Sequence, residues 1–563
     1  MPTLRFLAPR LFEAIGSSVT RQELEELLFR LKCETEWGEG DEVYVEVNAD
    51  RPDMFSVEGI ARAVRGLLGI ETGLPSYEHV PSGFTLRVES VPSRPFIAAG
   101  VVYDVYVDGV FLEELIQFQE KLHETLGRGR RRVAIGIHDL EKVPSKNLVY
   151  REVNIDEVRF TPLHGDREMS VREILAETEQ GRKYGAISLR GDRHPVFATE
   201  DGVVLSLPPV INADVTRVEP GTRHLLIDVT GTSWEAVKQV LNVLVYTLAE
   251  RSRSKRVGIV RLVGAPESET PVWSTRSITA SHERIVAWLG ARLEPSDVVD
   301  ALERMRHNAE YDAGAYTVEA APYRVDVSTW VDVAEDVAIG IGYDRVGWQA
   351  PPPTTRGSLS PIRGLERSIR VILAGYGFQE VYSFTLTSCE RQEELGAVPT
   401  TMLVRVANPV SRELACLRAS ITPQLLELAA QNQHIVPLRI FEMGDVALVD
   451  ESRPEKVRIE KHLAILLMDE RVGYEDIQSY VWGLVRLLGD EIREVEEVDH
   501  PLLIPGRAAR IKTRDGLEGI LGEVHPAHLE KLEIRYPVAI AELRYDTVAK
   551  PRLANPYKAL HSS

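Results

Sequence analysis

Four carboxylates past the middle of the chain, Asp326, Asp332, Glu335 and Asp336, have residue types and spacing that could do chemistry. The last three fall at i, i+3 and i+4, so on a helix they share one face. Like charges that close repel by a few tenths of a kcal/mol per pair unless a cation or an arginine neutralises them. An all-oxygen set without His or Cys suits Mg2+, which takes a few carboxylates and keeps several waters, better than it suits zinc. The same residues also suit a solvated acidic helix face, or a first helical turn whose dipole favours acids.

A second set is spread more widely: Gly136-Ile-His138-Asp139, Ser206-Leu-Pro-Pro-Val-Ile-Asn212 and Asp228-Val-Thr230-Gly231. Small polar side chains at strand ends suit a ligand pocket, where they can hold a ribose, an amino group or an attacking water. At strand-to-turn junctions the same types also bond their own backbone. The stretch from Asn48 to Gly59 reads as a strand, a turn and a helix capped by Ser56 or Asp53. The one dense basic cluster, Arg128, Arg130, Arg131 and Arg132, fits either a phosphate contact or a solvated loop before a strand. There is no Gly-x-x-x-x-Gly-Lys loop, no His-Glu-x-x-His and no Gly-x-Ser-x-Gly, so common ATPase, metalloprotease and hydrolase readings lose support.

The elements that must position these residues belong to a modular chain. At 563 residues it has room for about three to five domains. Residues 1–84 alternate helical and strand-like patterns, with a helix over 22–31 and a strand over 43–47. After the punctuation at 75–83, the largest domain runs over 85–266, with strands expected at 101–107, 132–137 and 203–207. A small unit over 270–350 has helices at 294–307 and 331–341, and the run Pro351, Pro352, Pro353 closes it. The remainder, 355–546, mixes a helix at 362–376 with strands at 438–443 and 538–543, and a polar tail occupies 547–563. The fold class expected is α+β multidomain, without internal repeats or sustained heptads.

Composition narrows the setting. A net charge of −19 disfavours broad contact with a phosphate backbone, so any nucleic-acid binding must be local or shared with a partner. Cys33, Cys389 and Cys416 stand far apart, which argues against a disulfide framework or a structural zinc site and for a reducing, cytoplasmic setting. The longest apolar helical candidate, 238–250, is shorter than the ~18 residues of a membrane span. Charged Arg5, Arg10 and Glu13 leave no apolar core for a secretory signal.

Taken together, the motifs resemble the phenylalanyl-tRNA synthetase β subunit family. The resemblance is carried by Asn-x-x-Arg-Pro-Asp-x-x-Ser-Val-Glu-Gly at 48–59, Val-Ala-Ile-Gly-Ile-His-Asp at 133–139 and Leu-Ser-Leu-Pro-Pro-Val-Ile-Asn at 205–212. It continues in order through Tyr323-Arg-Val-Asp326, the acidic helix, Gly342-Tyr343, Asn408-Pro-Val-Ser411, Leu417-Arg418-Ala-Ser420, the 438–444 strand and His500-Pro to Pro505-Gly-Arg507. The length is similar to that of the archaeal or eukaryote-like type, which lacks the inserted and C-terminal domains of bacterial relatives. The resemblance implies an α2β2 tetramer in which the α subunit binds ATP, phenylalanine and the acceptor end of tRNA(Phe). It implies Mg2+ at Asp326, Asp332, Glu335 and Asp336, lying towards the α subunit.

The same resemblance makes 85–266 a tRNA-editing-type domain that hydrolyses tyrosine wrongly attached to tRNA(Phe). Ser206, Asp228 and Thr230 are the foremost candidates for its pocket, with His138 and Asn212 behind them. It makes 355–546 a class II catalytic-like domain that has lost its active site. Arg418 and Glu442 stand where such a core carries its motif strands, but no Arg-rich terminal motif follows. Two other readings compete: a non-catalytic scaffold that assembles the α subunit and orients tRNA, and a free-standing ligase, which the missing nucleotide motifs disfavour.

Overall fold

The structure, a computed structural model, describes residues 2–348, 350–351, 355 and 357–548. Pro352 and Pro353 of the proline run, and all but the first two residues of the expected tail, lie outside the described residues. The chain divides into two compact units, Met1–Pro351 and Pro352–Ser563.

The first unit opens with β1 (Thr3–Leu7), α1 (Ala8–Ile15), α2 (Arg21–Arg30), β2 (Glu34–Trp37), β3 (Glu42–Glu46) and α3 (Val57–Leu67). The three strands form an antiparallel sheet in the order β1-β3-β2. Thr20 and Glu23 close a reciprocal cap on α2, and the Ser56 hydroxyl caps α3 by accepting from the Gly59 N–H. Asp53 is instead buried in ion pairs with Arg51 and Arg62.

The large sheet follows: β4 (Glu78–Val88), β5 (Phe96–Val102), α4 (Gly109–Glu124), β6 (Val133–Asp139) and β7 (Asn147–Asn154). An excursion through β8 (Arg159–Phe160), β9 (Met169–Ser170), α5 (Val171–Glu177) and α6 (Glu179–Tyr184) precedes β10 (Arg193–Thr199), β11 (Val204–Leu207) and β12 (Ile211–Asn212). Then come β13 (Leu225–Gly231), α7 (Trp234–Ala249), β14 (Arg256–Val263) and β15 (Glu269–Thr270). The strand path is β12-β11-β10-β7-β4-β14-β5-β13-β6, with β15 alongside β14. The apolar face of α7 lies against β5 and β13 in a core shared with α1, α3 and α4.

Two sequence readings shift here. Pro81, Ser82 and Gly83, read as inter-domain punctuation, lie within β4, where the register against β14 slips between Ile259 and Arg261. A proline is tolerated in a strand at such an irregularity, where the ladder is already interrupted. The strand expected over 101–107 ends at Val102, because Asp104 and Tyr106 take φ of 58° and 53° and turn the chain off the sheet.

The first unit ends with β16 (Arg276–Ser281), α8 (His282–Leu289), α9 (Pro295–Arg304), β17 (Asn308–Asp312), β18 (Ala315–Ala320), α10 (Trp330–Ile341) and α11 (Tyr343–Val346). A three-stranded sheet, β16-β18-β17, packs on α8, α9 and α10.

The second unit contains α12 (Pro361–Gly375), β19 (Gln379–Glu380), β20 (Leu386–Thr387), α13 (Cys389–Glu394), β21 (Cys416–Leu417), α14 (Thr422–Gln431), β22 (Leu438–Val449) and β23 (Val457–Met468). It continues with α15 (Tyr474–Leu487), β24 (Ile492–Glu497), β25 (Leu503–Thr513), β26 (Glu518–Val524), α16 (Pro526–Lys531) and β27 (Val538–Arg544). Its sheet runs β19-β22-β23-β27-β26-β25-β24 and is antiparallel except where β19 meets β22. The molecule is therefore α+β and multidomain. No helix among the described residues is long and apolar enough to cross a membrane.

The cysteine reading is corrected. Cys389 and Cys416 form a disulfide with Cα atoms 5.3 Å apart, while Cys33 is free and buried. Pairing of β20 with β21 sets Thr387 opposite Cys416, so Cys389, two residues on, arrives beside it. A separation of 27 residues conceals that meeting. Cysteine usage consequently gives no argument for a reducing compartment.

Candidate functional site

β13 lies between β5 and β6, and its alternation puts Asp228 and Thr230 on the same face. The register sets Asp228 opposite Gly136 and Leu226 opposite His138, so Asp228 reaches His138 diagonally. His138 Nε2 stands 2.8 Å from Asp228 Oδ1, and Nδ1 stands 2.7 Å from Thr216 Oγ1. In that contact the imidazole Nε2–H is the donor and the Asp228 oxygen the acceptor. A Cβ on Gly136 would come within 2.1 Å of Asp228 Oδ1, so glycine at 136 is what leaves room for the pair. Among the described residues no hydrogen bond ends on the second Asp228 oxygen.

β11 and β12 form a short hairpin that pairs Ser206 with Asn212. The Asn212 Nδ2 donates to the Ile137 carbonyl at 3.1 Å, which ties β12 to β6 and so joins the two ends of the strand path. Between them lies a hollow of about 640 Å³, with Ser206, Asn212, Asp228 and Thr230 on its wall among apolar Ile135, Ile137 and Val210. That volume falls within the roughly 300–1,000 Å³ usual for small-ligand sites. Ser206 is 3% exposed, and its hydroxyl has no hydrogen-bond partner among the described residues. Leaving a buried hydroxyl unsatisfied costs about 1–3 kcal/mol, which a ligand or water in the hollow would offset.

Behind Thr230 lies Arg94, fully buried without an acidic partner among the described residues. Its Nε donates to Thr230 Oγ1 at 2.8 Å, Nη2 to the Thr230 carbonyl at 2.9 Å and Nη1 to the Arg130 carbonyl at 3.2 Å. Burial lowers the guanidinium to about 10, still charged at neutral pH. Because Thr230 Oγ1 accepts from Arg94, its own proton is free to point elsewhere, and the hydroxyl lies on the wall of the hollow. At the rim, Arg130 bridges Glu120 at 2.6 Å and the Pro209 and Val210 carbonyls, with its guanidinium 4.3 Å from the Tyr184 ring centre. Burial raises the Glu120 carboxyl, but bonding from His123 and the charge of Arg130 outweigh it and hold the group at about 2.

The four carboxylates of the small domain are not gathered in this way. Asp332 caps its own helix, its Oδ2 accepting from the Ser328 and Thr329 backbone at 2.9 and 2.6 Å. Glu335 pairs with Lys32 at 2.8 Å. Arg324 lies between the other two, donating to Asp326 Oδ2 and Asp336 Oδ2 at 2.7 Å each, with His307 Nε2 2.6 Å from the latter oxygen. Burial works against ionising Asp336, yet Arg324 and His307 hold its carboxyl well below the usual range. Of the two neutralisers that the spacing allows, this chain supplies the arginine. Among the described residues no three His, Cys, Asp or Glu side chains could hold a metal ion, so the set expected to bind Mg2+ does not fit a self-sufficient site.

Arg418 and Glu442 are buried against each other, and Arg418 also bonds Ser383 and the Asp445 carbonyl. Both are spent inside the second unit. Another hollow in the first unit, of about 840 Å³ beside α7 and residues 266–275, is lined by side chains already engaged, such as Lys238 on Glu267 and Arg276 on the Val327 carbonyl.

Of the residues singled out in sequence, Ser206, Asn212, Asp228 and Thr230 meet at one hollow, with His138 directly behind Asp228. Arg94 and Thr216 were missed, since nothing in their local sequence marks them. Gly136 was seen only as part of a motif.

Comparison with known proteins adds an independent line. Residues 350–545 match the family described as phenylalanyl tRNA synthetase beta chain CLM domain, and 278–343 match the tRNA synthetase B5 domain. The chain is 44% identical over 554 residues to a phenylalanine–tRNA ligase beta subunit from Aeropyrum pernix, covering 98% of this chain and 99% of that one. It is 38% identical over 543 residues to the corresponding protein of Saccharolobus solfataricus, covering 96% and 97%. Among solved structures, an N-terminal fragment of the phenylalanyl-tRNA synthetase beta subunit from Pyrococcus horikoshii superposes with a TM-score of 0.58 at 35% identity, covering 61% of this chain and 100% of the fragment.

Proposed function

Because the chain belongs to the phenylalanyl-tRNA synthetase β subunit family, we propose that it works in a phenylalanine–tRNA ligase whose α subunit holds ATP, phenylalanine and the tRNA acceptor end, and that its own hollow hydrolyses tyrosyl-tRNA(Phe). The observation that carries the hydrolytic reading is the unspent polar wall: a buried Ser206 hydroxyl without a partner beside a half-used Asp228 carboxylate and the Thr230 hydroxyl.

Tyrosine differs from phenylalanine by one hydroxyl, and an apolar pocket rejects an isostere with an added hydroxyl by only about a hundredfold. A polar second sieve can recognise the hydroxyl that the first pocket admits. The free Asp228 oxygen receives the tyrosyl hydroxyl or the amino group, with His138 fixing the carboxylate. Ser206 and Thr230 hold a water near the ester carbonyl. Water adds to the carbonyl carbon, the bond to the ribose oxygen breaks, that oxygen takes a proton, and free tyrosine leaves. The ester is already reactive, so positioning can supply much of the acceleration.

Tyrosyl-tRNA(Phe) and phenylalanyl-tRNA(Phe) offered to the isolated chain test this directly. Release of tyrosine, lost in Asp228→Ala, is the expected result; intact tyrosyl-tRNA, with normal phenylalanylation once the α subunit is added, would leave a scaffold subunit instead. Exposed Tyr382, Phe384 and Val410 in the second unit support a covering partner, for which the α subunit in an α2β2 assembly is the reading. Mg2+ at Asp326, Asp332, Glu335 and Asp336 would need ligands from outside this chain. Calorimetric Mg2+ titration of the chain alone and of the assembly separates a shared ion from none.

A further inference from the structure

The loop between α4 and β6 concentrates cations in a chain of net charge −19. We propose that this loop grips the phosphate backbone of a single-stranded RNA 3′ end whose terminal ester enters the hollow; the reason for an RNA end there rests on the hydrolytic reading above. Four arginines stand in the five residues 128–132, and only Arg130 has an acidic partner among the described residues. Arg128 and Arg131 are exposed, and Arg132 is half-buried. With 85 acidic side chains against 66 basic ones, cations left unpaired on one loop are available for an anion from outside.

The loop is held in place. Gly129 N–H donates to the His123 carbonyl and Arg132 N–H to the Gly127 carbonyl, each at 2.8 Å. Residues 128, 129 and 130 take φ of 50°, 63° and 64° in succession. For the two arginines that left-handed backbone costs on the order of 1 kcal/mol each, and strain of this kind gathers at functional sites. Arg94 donates to the Arg130 carbonyl from beneath while bonding Thr230, so the guanidinium that orients the hollow's wall also fixes the loop at its rim. Arg130 itself is on that rim, lining the hollow with Ser206 and Asp228.

The chemistry of the substrate sets what must lie there. An aminoacyl ester sits on the terminal ribose, and the nearest phosphates belong to the nucleotides just before it. With the ester in the hollow, those phosphates emerge at its rim. Arginine is the side chain best matched to them, through charge and paired N–H donors. Lys183, exposed with its ammonium 5.2 Å from the Tyr184 ring centre, adds a further cation on the same rim.

Binding of a fluorescent single-stranded RNA ending in cytidine-cytidine-adenosine to the full chain, measured by anisotropy against salt, tests the grip. The double variant Arg128→Gln/Arg131→Gln should bind about tenfold more weakly at low salt. Its slope of log K against log salt should be shallower by about 1.4, the value for two single-strand phosphate contacts. Arg128→Lys/Arg131→Lys should recover the slope, and circular dichroism should show all variants equally folded. An unchanged affinity and slope in the Gln variant, or no RNA binding by the parent chain, overturns the proposal. Tyrosyl-adenosine, which carries no phosphate, should be hydrolysed equally by parent and variant. RNA binding that depends on the arginines in a chain that hydrolyses no tyrosyl ester would sustain the grip and remove the hydrolytic reading.

Discussion

Each unit holds a polar hollow walled in part by a buried carboxylate on a strand, and the two treat that carboxylate in opposite ways. In the second unit, a hollow of about 510 Å³ is bordered by Glu542, which accepts from five donors. These are the Ser420 and Thr422 hydroxyls, the Ile421 and Thr422 N–H groups and His462 Nδ1, at 2.5 to 3.0 Å. Every lone pair is engaged and the group is held at about 2, burial being outweighed by His462 and the hydroxyls. In the first unit, Asp228 takes one bond from His138, and Ser206 takes none. Polar groups spent on each other stabilise a fold; polar groups left open cost stability and leave something for a ligand to bind. The second unit, which matches the phenylalanyl tRNA synthetase beta chain CLM domain, thus has this polar network turned inward.

The contrast is broken most forcefully at Glu542. Glu542→Gln should destabilise the second unit by about 3–5 kcal/mol, because it leaves the half-buried His462 and the buried Ser420 and Thr422 donors badly paired. Tyrosyl ester hydrolysis, which the proposal assigns to the first unit, should survive below the new melting transition. The pH dependence has a definite sign. His462 is raised from 6.5 to about 9, burial being outweighed by Glu460 and Glu542, so its stabilisation is complete below about pH 6.5 and lost as pH rises through about 9. Glu542 is lowered from 4.5, so its share is present above about pH 4.5 and lost as pH falls towards 2. Denaturant melts across pH should place the maximum for this unit between those limits. A flat profile would show that the network is not what holds the sheet.

Next in size is the disulfide. Closing a separation of 27 residues stabilises by about 3–4 kcal/mol on the loop-entropy account. Cys389→Ser/Cys416→Ser, or reduction, should lower the second unit's melting transition and leave the first unit's unchanged, as read by calorimetry. Asp228→Ala should then cut tyrosyl ester hydrolysis at least a hundredfold, about 2.7 kcal/mol of barrier, with a smaller loss of stability, about 1–3 kcal/mol, from the buried His138 Nε2–H left without its acceptor. A large loss of stability without loss of hydrolysis would reverse the assignment of the two carboxylates.

A smaller effect is expected at Arg94. Arg94→Lys keeps the charge but not the Nε bond to Thr230, so kcat should fall about tenfold with KM little changed. If Arg94 acts by orienting that hydroxyl, Thr230→Ser should retain activity and Arg94→Lys should add nothing to Thr230→Val. Additive losses would make Arg94 merely a packing residue.

What could be read in the sequence follows what kind of information each feature needs. The helices over 331–341 and 362–376 repeat apolar residues at helical spacing, and the structure ends them within one residue of those limits. Asp228 and Thr230 were legible as small polar residues at a strand end, and as foremost pocket candidates only through the family resemblance; their shared face on β13 is what the structure adds. The disulfide and Arg94 were not, since each depends on which strands become neighbours. The acidic helix was legible as a cluster but not as to its neutraliser, because Arg324 sits two residues before Asp326 and reads as part of a motif rather than as a counter-ion. Strand β4 was hidden by Pro81 and Gly83, which signal a turn locally and are accommodated only because β14 slips its register.

The finest test is Ser206→Ala. Its hydroxyl is buried without a partner, and removing it deletes an unsatisfied group while leaving the Cβ in place. A residue that merely packed would lose stability on truncation, or show no change. Here the fold should gain about 1 kcal/mol, since the penalty for an unpaired buried hydroxyl disappears and scarcely any apolar volume goes with it. Hydrolysis should meanwhile slow by roughly tenfold, the cost of losing one group that holds the attacking water. The opposite signs of the two changes are what an open polar wall requires, and the same truncation at Ser420, whose hydroxyl is given to Glu542, should lose stability instead.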